Sequence, residues 1–164
     1  MSDNLGKYLE MLQAVIARLA GNSFSIKSWA VALVAVLGGF AAKDSDPRFV
    51  FGLWLPAFCF WGLDSFYLRQ EQLYRALYDA VVSGEPKVPI YSMSTSQIEH
   101  LVPSIFRTAF SHTVLWLHLP ILAFVLLLST YSIYRVLVKQ ERTATPQLQN
   151  GPAESGPPRS GTHF

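Results

Sequence analysis

The sequence predicts an all-α fold: a helical integral membrane protein with three transmembrane helices, two amphipathic helices and a disordered C-terminal tail. Charged residues make up 15% of the 164 residues, against the usual quarter or so of a soluble domain. The deficit is local, because three blocks at residues 26–42, 49–63 and 113–138 almost lack charge. Two other stretches repeat apolar residues at three- and four-residue spacing, which is typical of amphipathic helices.

Residues 1–22 form the first predicted amphipathic helix, which we expect to end at Gly21 and Asn22 because Gly and Asn favour helix C-termini. Two interpretations stay open for it. It is either a membrane-surface or oligomerising helix, or it packs against other cytosolic segments of the same chain. Its apolar face has seven members: Leu5, Tyr8, Leu9, Leu12, Val15, Ile16 and Leu19.

Residues 26–82 predict a membrane hairpin. The first span, residues 26–42, is near the lower length limit of about 17 residues, and a re-entrant segment is the alternative. Lys27 is expected to extend toward the membrane surface, and Gly38 and Gly39 to permit close approach of another helix. After a polar turn at residues 43–48, one long helix over residues 49–82 is expected, kinked at Pro56 and leaving the bilayer near residues 64–69.

Residues 83–112 are expected to form a loop and an amphipathic interfacial helix over residues 96–111. Pro103 predicts a kink or break near Val102 in that helix. Residues 113–138 form the third predicted span, and residues 139–164 the disordered tail, since they lack apolar periodicity and are rich in small and polar residues. A slight excess of Lys and Arg on one side places the N-terminus in the cytoplasm.

The membrane exit of the long helix carries the first candidate site. Asp64, Glu71 and Arg75 fall roughly on one helical face, with Arg69 nearby, and Glu71 and Arg75 have the spacing of an i,i+4 ion pair. An acid at membrane depth usually faces a bundle interior, a cavity or a cation. The site is therefore a gate, an ion path or a docking site. The alternative is an acid that is hydrogen-bonded at the interface or paired with Arg69.

His118 is the second candidate, because it lies inside the third span. It could titrate or donate a hydrogen bond to another helix, or it could be a neutral histidine packed beside Trp116 and Pro120. Its spacing from His112 is poor for a metal, which two helical histidines bind best at i,i+4. The sequence therefore predicts neither a metal nor a cofactor.

Composition and motifs narrow the function classes. A net charge of +2 without a Lys/Arg run argues against nucleic acid, and one cysteine, Cys59, forms no intrachain disulfide. No phosphate loop or hydrolase motif is present, so we expect no catalytic residues and no enzyme. The first 25 residues lack the apolar region of a cleaved signal peptide.

The run FWGLDSFYLRQE at residues 60–71 resembles one found in small uncharacterised bacterial membrane proteins, where a span passes into a cytosolic helix. The layout is also loosely similar to small membrane effectors of anti-phage defence islands, the SLATT-like group. That resemblance implies a multi-pass protein of the bacterial inner membrane that perforates or depolarises the bilayer.

Two functional hypotheses follow. The first is a membrane protein that acts by self-association or by docking a cytosolic or membrane partner, as a pore-forming or membrane-perturbing defence effector. The second is an accessory subunit of a transporter or channel, with Asp64 and His118 near a polar path. Under both hypotheses the protein is embedded in the lipid bilayer. Under the first hypothesis it also forms a homo-oligomer or binds a protein partner.

Overall fold

In the computed structural model, which describes residues 2–44, 47–86, 89 and 91–149, every regular element is helical. The all-α class is thereby confirmed. The main helices in chain order are α1 (Ser2–Asp44), α2 (Pro47–Gly52), α3 (Trp54–Val82), α4 (Ile105–Ala109) and α5 (His112–Gln149), and a short 3-10 helix (Glu99–Leu101) precedes α4.

Helices α1, α3 and α5 form an elongated bundle. The most extensive contact is between α1 and α3. These two helices run antiparallel, since Tyr8 lies in one cluster with Leu77 and Lys27 pairs with Asp64. Helix α5 packs against both and runs parallel to α1, because His118 lies at the level of Asp64 and Phe124 lies against Gly38.

The bundle holds two separate apolar cores. The span core joins α1, α2, α3 and α5, and the handle core joins the N-terminal half of α1 to the C-terminal half of α3. Between them lies a polar layer of Ser23, Lys27, Asp64 and His118. The buried members of the span core are Ala30, Val34, Ala41, Val50, Leu53, Ala57, Ile121 and Val125, and those of the handle core are Tyr8, Leu12, Leu77 and Ile98.

Helix α1 does not stop at Gly21 and Asn22, so the predicted helix end is wrong. Gly costs about 1 kcal/mol in a helix interior relative to Ala, which weakens a helix without breaking it. Leu12 on one side of Gly21 and Ala30 on the other are both buried against neighbouring elements. That packing on both sides stabilises one uninterrupted helix of 43 residues.

The long helix expected over residues 49–82 is divided at Leu53 into α2 and α3. The cause is Pro56, which has no N–H to donate to the carbonyl of Gly52 and crowds that carbonyl. Pro56 therefore lies in the first turn of α3, where a missing N–H costs least. Leu53 keeps right-handed helical angles and its N–H donates to the Val50 carbonyl at 3.1 Å, so the chain continues in nearly helical form.

The amphipathic helix expected over residues 96–111 is reduced to the 3-10 helix and α4. The break near Val102 is confirmed, because Val102 is extended, as a residue before proline prefers. Ser104 then caps α4 by accepting from the backbone N–H of Arg107.

Helix α5 continues past the expected end at residue 138 and reaches Gln149, into the segment predicted to be disordered. Lys139, Gln140, Glu141 and Arg142 are all strong helix formers, which accounts for part of the extension. The rest of the predicted tail, residues 150–164, lies outside the described residues.

Two segments are long and apolar enough to cross a membrane: Asp3–Ala41, within α1, and Glu99–Arg142, which includes α5 as far as Arg142. About 20 apolar residues span a hydrocarbon core, so both exceed what a crossing needs. The expectation for the first and third spans therefore stands on composition and length.

The packing at Gly38 gives a stability prediction. A Cβ at Gly38 would lie 2.9 Å from Phe124 Cε1, whereas one at Gly39 would meet nothing within 4 Å. Gly38→Leu should therefore destabilise the bundle by about 1–3 kcal/mol through overpacking, measured by unfolding of the purified chain followed by circular dichroism. Gly39→Leu is the matched control, and equal unfolding of the two variants would contradict this packing.

Candidate functional site

The polar layer is the candidate functional site. Three helices contribute to it: Ser23 and Lys27 from α1, Asp64 from α3 and His118 from α5. Ser23, Asp64 and His118 are buried, while the Lys27 side chain keeps 25% of its surface exposed. The site is therefore a set of ionisable and hydroxyl groups held between two apolar cores.

Asp64 is the centre of the layer and is fully buried. Its Oδ1 accepts hydrogen bonds from Ser23 Oγ, at 2.6 Å, and from Lys27 Nζ, which is also its ion-pair partner. Its Oδ2 has no hydrogen-bond partner among the described residues. Hydrogen bonds therefore stabilise the buried carboxylate at Oδ1 but not at Oδ2.

Ser23 and Lys27 reach the same carboxylate because they are four residues apart on α1 and so share one helical face. Lys27 Nζ also donates to Ser23 Oγ at 2.6 Å. The hydroxyl therefore accepts from the ammonium and donates to the carboxylate, and it fixes the position of both charged groups.

His118 approaches Asp64 from the other side. Its Nδ1 lies 3.0 Å from the Val114 carbonyl and 3.8 Å from Asp64 Oδ2. A carbonyl only accepts, so Nδ1 carries a hydrogen, and in the neutral form of the ring the lone pair is on Nε2. Nε2 is buried and has no hydrogen-bond partner in the described part of the chain. His118 therefore presents a proton-accepting atom inside the bundle.

Asp64 is hydrogen-bonded, as one form of the alternative expected, but it is not paired with Arg69. Arg69 Nε instead donates to the Pro103 carbonyl at 3.2 Å, which ties the segment before α4 to α3. Glu71 and Arg75 form an i,i+4 ion pair of 2.7 Å on α3. These three side chains lie on the handle side of Asp64, and none has a hydrogen bond or ion pair with it among the recorded contacts.

The two candidate packing glycines face different ways. Gly38 is buried and lies against Phe124 and Leu128 of α5. Gly39 is exposed with open space around it. Only Gly38 takes part in packing within one chain.

Lys27 and Ser23 are site residues that were not predicted from the sequence, because Lys27 was expected to reach the membrane surface. The sequence nevertheless contained a signal for the pair. Lys27 and Asp64 are equally far in sequence from the connection between α1 and α2. In an antiparallel hairpin such residues lie at the same level, so two lone charges in apolar segments predict an ion pair there.

The handle core is closed by the loop before α4. The Tyr8 hydroxyl donates to the Ser92 carbonyl at 2.5 Å, and its ring meets Tyr91 edge-on. Burial raises the pKa of Tyr8 above its ordinary value, which favours the neutral phenol that donates this hydrogen bond. The loop is thereby attached to α1 as well as to α3.

Within the described ranges, no group of three His, Cys, Asp or Glu side chains is placed to hold a metal ion. Comparison of the chain with protein-family models, with curated proteins and with solved structures gives no match. The function is therefore argued from the geometry of this chain alone.

The buried ion pair gives a second prediction. Lys27→Met leaves the Asp64 carboxylate without its cation and should destabilise the fold by about 3–5 kcal/mol. Adding Asp64→Leu removes the remaining charge and should recover most of that loss. Denaturant unfolding of both single variants and the double variant measures the coupling.

Arg75→Met is the control, because it breaks an ion pair whose arginine is largely exposed. Such pairs contribute at most about 1 kcal/mol. A Lys27→Met variant as stable as Arg75→Met would show that Asp64 does not depend on Lys27.

Proposed function

We propose that the chain is a three-span protein of the bacterial inner membrane that acts by self-association and partner docking, as a membrane-perturbing effector. The observation that carries the proposal is a continuous outward face of small residues on α1, set within a belt of exposed apolar side chains.

The membrane setting is supported by where the exposed large apolar side chains lie. Nearly all of them fall within residues 24–66 and 101–137, and only Met11, Val82 and Tyr91 lie outside. Phe24, Phe40, Leu55 and Leu127 are each at least 60% exposed. Contiguous apolar exposure on this scale marks an interaction surface, and around a whole bundle the matching partner is lipid.

The directions of the helices support three crossings. Helices α1 and α5 run parallel, so the chain that joins them must return across the same thickness. Helices α2 and α3 make that return, and they carry exposed Phe51, Leu55, Phe58 and Leu63 on the way. The second span is thus not among the segments that are apolar enough by composition alone, yet it connects the two that are.

The polar layer lies near one edge of the bilayer in this arrangement. Lys27 is 17 positions from the end of α1 at Asp44, and Asp64 is 17 positions from the start of α2 at Pro47. That is about 26 Å of helix, and the hydrocarbon core is about 30 Å thick. The handle core then projects into the cytoplasm, together with the N-terminus and the loop before α4.

The topology gives a third prediction. With Cys59 replaced by Ala, single cysteines at Gln13 and Ser83 should react with a membrane-impermeant maleimide only when the cytoplasmic side is open. A cysteine at Gln140 should react from the opposite side. Labelling of Ser83→Cys and Gln140→Cys from the same side would contradict three crossings.

Self-association is supported by the face of α1 that points away from its own bundle. Six small residues recur there at alternating four- and three-residue spacing: Gly21, Ser25, Ser28, Ala32, Ala35 and Gly39. All six are exposed, and the buried Ala30 and Val34 lie on the opposite side of the helix. Small residues let transmembrane helices approach closely, and this spacing is that of a left-handed helix pair.

Over the residues that the structure describes, a single chain has no open polar path between the two ends of the span core, which favours the effector hypothesis over a channel subunit. On the buried face of α5, Ile121 and Val125 separate His118 from Ser129. The span core thus closes the bundle beyond the polar layer. Any loss of the permeability barrier must arise between chains or between protein and lipid.

The α1 face gives the fourth prediction. Expression of the chain should arrest growth and collapse the membrane potential, measured with a voltage-sensitive dye. Gly39→Ile and Ala32→Ile should abolish cross-linked oligomers and reduce depolarisation at least tenfold, because branched side chains prevent close approach of two α1 helices.

Gly62→Ile is the matched control, since Gly62 is an exposed helical glycine with open space around it on α3. It should leave oligomers and depolarisation unchanged. Depolarisation that survives Gly39→Ile but is lost in Asp64→Asn at unchanged oligomer size would overturn this proposal in favour of an ion path at Asp64.

A further inference from the structure

The polar layer contains three ionisable side chains, those of Lys27, Asp64 and His118. The charges of Lys27 and Asp64 sum to zero, and the Nδ1–H of His118 donates to the Val114 carbonyl. Asp64 Oδ2 and His118 Nε2 are both buried without a hydrogen-bond partner in the described chain. The layer therefore holds one negative charge, one bound cation and one site where a second cation could form.

Lys27 and a protonated His118 cannot both be stabilised by the same carboxylate. Together they would leave one excess positive charge between two apolar cores, and uncompensated buried charge is strongly unfavourable. His118 Nδ1 is 3.8 Å from Oδ2, so a small rotation of the ring makes a direct charge-assisted hydrogen bond.

Lys27 is the partner that can leave. Its side chain is one quarter exposed, whereas Asp64 is fully buried. A lysine ammonium on its long flexible stem reaches water or lipid headgroups from near the membrane edge. His118 is 1% exposed and has no comparable route.

Few other charges bear on this balance. Of the described charged and titratable groups on the elements packed against His118, Lys27 of α1 and Asp64 of α3 face it. Arg69 of α3 donates to the Pro103 carbonyl, and Arg107 of α4 and His112 of α5 are exposed.

We propose that Lys27 and His118 compete for Asp64, so that the polar layer is a proton-binding site whose loading releases Lys27 from α3. The proton adds to Nε2, and Nδ1–H turns from the Val114 carbonyl to Asp64 Oδ2. An α1–α3 ion pair is thereby exchanged for an α3–α5 ion pair. The released ammonium moves to the membrane surface, so that the net charge of the buried layer stays at zero.

Competition for Asp64 rests on the proposed membrane setting, which keeps water out of the layer and provides the surface to which Lys27 moves. Cysteine labelling tests that setting separately. The experiment here follows His118 by ¹⁵N-histidine NMR of the full chain in lipid nanodiscs between pH 4 and 9. The His118 signal is assigned by its loss in His118→Gln.

Lys27→Met should raise the pH midpoint of the His118 titration by at least one unit, which is a tenfold gain in proton affinity, because Asp64 then has no other cation. Lys27→Arg, which keeps the charge, should leave the midpoint within a few tenths of a unit. Lys7→Met removes an exposed lysine of the handle that pairs with Asp3, and it should also leave the midpoint unchanged.

The double variant Lys27→Met, Asp64→Asn carries no buried charge and so avoids the instability of Lys27→Met alone. The pH midpoint of its His118 titration should be at least one unit lower than in Lys27→Met, which is a tenfold loss of proton affinity. Equal midpoints in the wild type, Lys27→Met and the double variant would overturn the proposal. Proton uptake at Asp64 with an unchanged His118 midpoint would overturn it as well.

Discussion

The structure depends on how a fully buried carboxylate is compensated. Removing Asp64 from water costs several kcal/mol, and this cost is offset only when Ser23 and Lys27 reach Oδ1 together. That condition fixes the register of α1 against α3, because a one-residue shift rotates a helix face by about 100° and would turn both donors away. Apolar surfaces alone tolerate several registers, so the ion pair selects one.

The strongly periodic or apolar parts of the chain were readable from sequence. The apolar block of α5 and the amphipathic face from Leu5 to Leu19 are both helical in the structure. Their residue pattern is local, so it predicts a helix without knowledge of which element packs against it. Local stop signals were less informative. Gly21 and Asn22 lie inside α1 because packing on either side outweighs a cost of about 1 kcal/mol, whereas Pro56 divides two helices because it removes a donor and crowds a carbonyl.

Asp64 and His118 were predicted as site residues from the sequence, whereas Lys27 and Ser23 were not, and the reason is physical. Asp64 and His118 are conspicuous because ionisable groups inside apolar helices are rare. Lys27 is inconspicuous, since a lysine near the end of a span has an ordinary explanation at the membrane surface. Its role appears only when the hairpin register brings it level with Asp64, and register depends on the tertiary fold.

Helix α1 links three levels of the molecule. Its N-terminal half forms the handle core with α3, its middle supplies Lys27 to the polar layer, and its C-terminal half packs on α5 through Gly38. It has no break between Ser2 and Asp44, so rotation at one level is carried to the others through continuous backbone hydrogen bonds.

This continuity connects the outward face of α1 to the buried layer. The small residues and Lys27 lie on different sides of one rigid helix, so a contact that fixes the rotation of the outward face also fixes the direction of Lys27. The proposed association through Gly39 and Ala32 would therefore be thermodynamically linked to the pairing of Lys27 with Asp64 whenever α1 rotates. Linkage is reciprocal, so the proposed release of Lys27 would alter the affinity of one α1 for another by the factor by which association alters that release.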